Sequence, residues 1–204
     1  MVELVAVRHG QTAWNEGGRF QGHADIPLDA TGRAQALALG AYLSAFAFAR
    51  GVTSDLLRAR ETAETILRGR DVPLEADSRW REMHFGAWEG LTWPEIVRRN
   101  PEFEGRSSTV PRLYTPQGGE SFDEVCARVG DAVTALTAGA ADGERLLVVT
   151  HAGVLHALLR VLLGESEAGA LRVRFLPASV TRFAVSPSGT QILDLNRTVD
   201  ESLA

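Results

Sequence analysis

Two histidines follow directly after apolar segments that are typical of buried strands. Arg8 and His9 come after residues 2–7, and His151 comes after residues 145–150. Ligands of open α/β sheets bind beyond the carboxyl ends of the strands. If the two strands are neighbours, we expect both imidazoles to reach one site.

Positive charge accompanies both histidines. Arg8 precedes His9, and Arg58 lies in the first turn of a predicted helix that follows the short apolar segment 51–54. Ala152 and Gly153 open another predicted helix, whose N-terminus offers free amides and a partial positive charge. Guanidinium groups donate paired hydrogen bonds to phosphate oxygens, so this set of residues favours a phosphate site.

Glu82 is the carboxylate whose surroundings suggest a role. Among apolar neighbours it could keep its proton near neutral pH and act as a general acid. A surface Glu82 paired with Arg79 or Arg81 is the alternative, and the residues alone favour that alternative. Asn15 could add a neutral hydrogen-bond donor to the phosphate site.

Composition excludes several classes of function. The formal net charge of −5 over 204 residues argues against nucleic acid and anionic membranes as partners. All 21 basic residues are arginine, which excludes a Schiff-base or P-loop lysine. Cys126 is the only cysteine, so no internal disulfide or cysteine zinc cluster can form. With no signal-peptide pattern at the start, we expect a cytoplasmic protein.

Apolar segments alternate with helical patterns along the chain. Strands are predicted at 2–7, 51–54 and 145–150, with a late hairpin from 180–185 and 190–195, and helices at 31–48, 55–68, 121–136 and 154–163. This alternation predicts a three-layer α/β/α sandwich with a mostly parallel central sheet. We expect a single domain over 1–204, with an inserted cap segment at about 82–119.

Several motifs along the chain resemble those of one known family. The similarity runs in order through nearly the whole chain. Its motifs are Arg8-His9-Gly10-Gln11-Thr12-Ala13-Trp14-Asn15, Phe20-Gln21-Gly22, Ser54-Asp55-Leu56 with Arg58, Arg81-Glu82 with Phe85-Gly86-Ala87-Trp88-Glu89-Gly90, and Thr150-His151-Ala152-Gly153. These motifs resemble those of the histidine phosphatase superfamily, the phosphoglycerate mutase-like proteins. Leu113 to Ser121 is similar to the broad-specificity bacterial phosphatases and the α-ribazole phosphatases.

The resemblance implies roles for particular residues and no metal or other cofactor. His9 would be the nucleophile, and Glu82 the proton donor. Arg8, Arg58 and His151 would bind the phosphoryl group. The rest of the pocket would be lined by Gln11, Thr12, Asn15, Gln21 and Gly22.

The function that this resemblance predicts is hydrolysis of small phosphorylated metabolites through a phosphohistidine. A cofactor-dependent phosphoglycerate mutase is the first alternative, although the extra basic cap segment of mutases is missing. A catalytically dead phosphate-binding module and a metal hydrolase using the five histidines are further alternatives. We keep a homodimer open, and we assign His23, His84 and His156 to the surface or to packing.

Aromatic residues are frequent in the cap and just after it. We expect most of them to form the cap's own core, and the alternative is an apolar wall for the leaving group of the substrate. The residues concerned are Trp88, Trp93, Phe103, Tyr114 and Phe122.

Overall fold

A computed structural model describes residues 1–106, 114–164 and 173–199. Part of the predicted cap and Leu113 of the phosphatase-like motif therefore lie outside the described residues. Within the described ranges, no helix is long and apolar enough to pass through a bilayer.

A six-stranded sheet forms the centre of the described structure. Its strands are β1 (Val2–Arg8), β2 (Arg50–Thr53), β3 (Leu74–Ala76), β4 (Arg145–Thr150), β5 (Val180–Ser186) and β6 (Gly189–Arg197), in the order β3-β2-β4-β1-β5-β6. The first four strands run parallel, and the β5–β6 hairpin adds to β1 in the antiparallel sense. This arrangement confirms the predicted α/β fold with a mostly parallel sheet.

Helices connect the strands and cover both faces of the sheet. They are α1 (Ala13–Glu16), α2 (Ala30–Tyr42), α3 (Leu57–Ile66), α4 (Trp93–Arg99), α5 (Phe122–Thr137) and α6 (Ala152–Leu163). Short 3-10 helices occupy Leu43–Ala45, Ser78–Trp80, Gly86–Trp88 and Pro101–Phe103.

The alternation of side chains along β1 separates two hydrophobic layers. Leu4 and Ala6 pack in a core that includes the apolar faces of α5 and α6. Val5 and Val7 point the other way, into a core shared with α2 and α3. Both faces of the strand are thus buried, as the continuous apolar sequence indicates.

Local signals explain where most helices begin and end. Ser121 caps α5 through a reciprocal capping box with Glu124, as predicted. Gly164, with φ +86°, ends α6.

The predicted helix 31–48 ends early, at Tyr42. The Ala49 amide donates to the Arg145 carbonyl at 2.9 Å, so the chain is already aligned with β4 at residue 49. The 3-10 turn Leu43–Ala45 and an extended Phe46 make the change of direction that this alignment requires.

Candidate active site

His9 and His151 lie side by side because their strands are neighbours. Arg8 and Thr150, the last residues of β1 and β4, are paired in the parallel register. The next residue of each strand is a histidine, and the two ring centroids are 5.0 Å apart with an interplanar angle of 59°. The expected convergence of the two imidazoles is therefore present.

His9 is oriented by a backbone carbonyl. Its Nδ1 lies 2.6 Å from the Gly10 oxygen, which can only accept, so Nδ1 carries the hydrogen and Nε2 keeps its lone pair. Burial, and then the nearby Arg58 and Arg8, hold the pKa of His9 well below its usual value. The ring is thus neutral and nucleophilic at neutral pH.

His151 has the opposite arrangement. Its Nδ1 accepts a hydrogen bond from Arg58 Nε at 3.2 Å, which places the ring hydrogen on Nε2. That Nε2 is buried and has no hydrogen-bond partner among the described residues. Burial, followed by the positive charge of Arg58, also lowers the pKa of His151 well below its usual value.

Two arginines flank the imidazoles, of which Arg58 is fully buried and Arg8 is partly buried. Arg58 lies in the first turn of α3, and its terminal nitrogens donate to the Ala24 and Gly22 carbonyls, each at 2.8 Å. Arg8 donates to the Phe175 carbonyl at 2.7 Å, and its Nε is buried with no partner among the described residues. Burial lowers the pKa of each guanidinium to about 10, which leaves both charged at neutral pH.

Glu82 is buried and points at the start of α6. Its Oε1 accepts from the Met83 amide at 2.9 Å and from the Gly153 amide at 3.0 Å. The alternative of a surface Glu82 is wrong, since Arg79 pairs with Asp77 and Arg81 with Asp55. The expectation of open amides at this helix start is also wrong for Gly153, because Glu82 occupies that amide.

The remaining predicted pocket residues divide into two groups. Gln11, Asn15 and Gln21 line a cavity of about 800 Å³ that also contains Arg8, His9, Arg58 and Glu82 at its wall. Thr12, Gly22 and His151 are not part of that wall.

Thr12 and Gly22 hold the residues that do line the cavity. Thr12 is the N-cap of α1 and shares a capping box with Asn15, whose Oδ1 accepts from the Thr12 amide at 3.1 Å. Gly22, at φ +52°, offers its carbonyl to Arg58, and a Cβ there would lie 2.0 Å from Glu89 Oε1. Direct contact of these two residues with substrate stays a prediction.

The cavity wall includes residues that the sequence interpretation did not assign to the site. His156 lies four residues after Ala152, on the same face of α6, and its ring meets Phe175 edge-on at 4.8 Å. Arg174 lies at the same wall. The spacing of four residues from Ala152 in a helix could have predicted His156 at the site, whereas nothing in the sequence indicated Arg174.

An aromatic cluster contributes to the cavity wall. Trp88, Ile96 and Phe103 are its buried centre, and around them pack Phe20, Phe85, Leu91, Trp93, Val97 and Tyr114. The prediction that most cap aromatics form a core of their own is confirmed, except that Phe122 packs on the core beside α5 and α6. Phe20, Phe85 and Trp93 also line the cavity.

In residues 1–106, 114–164 and 173–199, no three His, Cys, Asp or Glu side chains are grouped so that they could hold a metal ion. The arrangement is instead one of a neutral imidazole, a second imidazole acting as donor, two guanidiniums and a carboxylate. Such a set matches a tetrahedral oxyanion that develops further charge during a reaction.

Comparison with known proteins gives a consistent family. The model of the histidine phosphatase superfamily (branch 1) matches residues 4–198. A metal-independent phosphoserine phosphatase from Arabidopsis thaliana is 38% identical over 175 residues, which are 84% of this chain and 73% of the relative. An adenosylcobalamin/alpha-ribazole phosphatase from Salmonella typhimurium is 37% identical over 162 residues, 79% of this chain and 80% of the relative.

A solved structure agrees with these relatives. The mycobacterial glucosyl-3-phosphoglycerate phosphatase in complex with VO3 superposes with a TM-score of 0.86 at 32% identity. The similarity covers 96% of this chain and 99% of that one.

Proposed function

Because this chain belongs to the histidine phosphatase superfamily (branch 1), we propose that it hydrolyses small phosphorylated metabolites through a phosphohistidine on His9. The relatives named above are phosphatases, which supports a hydrolase and does not favour the mutase alternative. A coupled assay with and without 2,3-bisphosphoglycerate separates the two activities.

One observation carries the assignment of the nucleophile. The His9 Nδ1 hydrogen is committed to the Gly10 carbonyl at 2.6 Å, so Nε2 is the nitrogen that attacks. A nucleophilic imidazole needs one unprotonated nitrogen and a partner that fixes the other.

The reaction proceeds in two balanced steps. In the first, His9 Nε2 forms a bond to phosphorus while the bond to the leaving oxygen breaks, and Glu82 gives that oxygen its proton. In the second, water attacks the phosphohistidine, Glu82 takes a proton from the water, and phosphate leaves His9.

Transition-state charge is carried by the surrounding donors. Arg8, Arg58 and the Nε2 hydrogen of His151 stabilise the equatorial oxygens. The predicted substrate-binding set adds amide and hydroxyl groups, namely Gln11, Thr12, Asn15, Gln21 and Gly22. We assign the same set to phosphate binding here, and we place the enzyme in the cytoplasm.

Replacement of His9 tests the proposal. His9→Ala should abolish hydrolysis of phosphomonoesters and give no labelled phosphoenzyme after rapid acid quench, while its circular dichroism stays that of the native protein. His84→Ala is the matched control, since His84 does not line the cavity and should keep the label. A labelled phosphoenzyme on His9→Ala would refute the proposal.

The assays should contain a chelator. Activity that persists on a panel of phosphomonoesters in its presence is the expected result, whereas loss of activity on chelation would favour the metal-hydrolase alternative.

A further inference from the structure

Arg128 of α5 uses every hydrogen-bond donor that it has on one short stretch of chain and one carboxylate. Its Nη1 donates to the Arg79 and Arg81 carbonyls, each at 2.7 Å, and its Nη2 donates to the Glu82 carbonyl at 3.0 Å. The two remaining donors go to Glu120, from Nε at 2.8 Å and from Nη2 at 3.0 Å. A guanidinium has five N–H groups, so none is left for substrate.

Glu120 binds the same segment on the C-terminal side of Glu82. Its Oε2 also accepts from the His84 amide at 2.8 Å. Arg128 and Glu120, which we call the Glu120–Arg128 clamp, thus bind the backbone on both sides of Glu82. Both side chains are mostly enclosed, with exposed fractions of 18% and 23%.

The backbone around Glu82 needs such a restraint. Residues 81–85 belong to neither a helix nor a strand, so no regular hydrogen-bond ladder sets their position. Among the residues that the structure describes, the carboxylate itself accepts hydrogen bonds from the Met83 and Gly153 amides alone. Misplacement of a reacting group by about 1 Å costs about 100-fold in rate, so the position of this backbone matters to the chemistry.

We propose that Arg128 and Glu120 are positioning residues that set the place from which Glu82 transfers its proton. The proposal rests on the proposed function, because it concerns the same acid. Neither residue touches the substrate, and both act through the proton transfers of Glu82, of which the transfer to the leaving oxygen is the one that kcat/KM reports.

The dependence of the first proton transfer on the leaving group gives a test which a merely structural role would not pass. The leaving group of 4-nitrophenyl phosphate is a stable anion that needs little help from an acid. The alkoxide that leaves 4-nitrobenzyl phosphate is far more basic than 4-nitrophenolate, so it needs the proton that Glu82 donates. The ratio of kcat/KM for the two esters is independent of the folded fraction of enzyme, because that fraction cancels.

Arg128→Gln should lower the benzyl-to-phenyl ratio of kcat/KM by about 10- to 100-fold, since general acid catalysis contributes about 100- to 10,000-fold. Glu120→Gln, which keeps the size of the side chain, should lower it in the same direction by less. Arg182→Gln is the matched control. Arg182 is also a mostly enclosed arginine, but it pairs with Glu3 and Asp194, and its removal should leave the ratio unchanged.

Glu82→Gln separates failure of this inference from failure of the proposed function. If Glu82→Gln lowers the ratio and Arg128→Gln does not, the positioning role is overturned and the acid role stands. If Glu82→Gln leaves the ratio unchanged, the acid role of Glu82 is overturned and the positioning role with it. A lower ratio in both variants supports the acid role of Glu82 and the positioning role of Arg128.

Discussion

His9 and His151 carry their ring hydrogens on different nitrogens because their hydrogen-bond partners differ. A carbonyl accepts the Nδ1 hydrogen of His9, which frees the Nε2 lone pair, whereas a guanidinium donates to Nδ1 of His151 and leaves a hydrogen on Nε2. In the proposed mechanism, one ring therefore attacks phosphorus while the other donates to a phosphoryl oxygen. Neither ring needs a change of protonation before substrate binds.

The buried neutral histidines make stability depend on pH. Unfolded, His9 and His151 titrate near 6.5, but both have a lower pKa when folded. Below pH 6.5 the unfolded state therefore binds more protons, and the free energy of unfolding falls by up to about 1.4 kcal/mol per pH unit for each ring. This stabilisation is complete above the unfolded pKa and is lost as the pH decreases.

Urea unfolding at pH 7 and pH 5, in buffers without phosphate, measures this effect. His151→Asn should make the difference in free energy of unfolding between the two pH values smaller than in the unmodified protein. An equal difference in the two proteins would contradict the lowered pKa of the buried His151 ring.

The positions of individual side chains could be predicted from the sequence where the residue lies at the end of a strand. Arg8, His9 and His151 each lie at a strand exit, so their meeting follows from the pairing of β1 with β4. The ring hydrogens could not be predicted, because they depend on where the Gly10 carbonyl and the Arg58 guanidinium lie. The same applies to Arg128, whose partners are backbone carbonyls that carry no sequence signal.

At the level of elements, the first turn of α6 lies directly against Glu82, the proposed acid. A Cβ on Gly153 would lie 2.2 Å from Glu82 Oε1, so alanine there would push the carboxylate away. Gly153→Ala should reduce kcat/KM for alkyl phosphates by about 10- to 100-fold, in line with a displaced reacting group.

Gly130→Ala in α5 is the matched control. The nearest atom to a Cβ at Gly130 is 4.0 Å away, so there is room for the methyl group. Alanine should stabilise the helix by about 1 kcal/mol without loss of activity. Full activity in Gly153→Ala would contradict the close contact between Gly153 and the Glu82 carboxylate.

Strands and helices could be predicted where periodicity was strong. The late hairpin is present as β5 and β6, but β3 was missed because Leu74–Ala76 is only three residues long and has no apolar run. The end of α2 was misplaced because the apolar pattern continues into Phe46 and Phe48, which still pack in the core after the helix has ended.

At the scale of the whole molecule, the cavity wall combines the proposed catalytic groups with aromatic rings. Phe20, Phe85 and Trp93 line it, which favours aryl leaving groups. We expect a higher kcat/KM for aryl phosphates than for phosphoglycerate. Trp93→Ala should reduce the aryl preference by about two- to tenfold, the range for aromatic contacts.

Tyr114→Ala is the control for that measurement. Tyr114 packs on Phe103 at 4.7 Å in the same aromatic cluster but does not line the cavity. Its removal should leave the preference unchanged. Equal efficiency of the native protein on both substrates would argue against an aromatic wall for the leaving group.

The backbone of His9, the proposed nucleophile, and of Ser54 is hydrogen-bonded to the central sheet. The His9 amide donates to the Thr150 carbonyl at 2.9 Å, and the Ser54 amide donates to the Val149 carbonyl at 3.0 Å. These amides should exchange their hydrogens with solvent as slowly as the most protected core positions, because local fraying cannot release them. Loss of catalytic geometry in denaturant should therefore coincide with global unfolding rather than precede it.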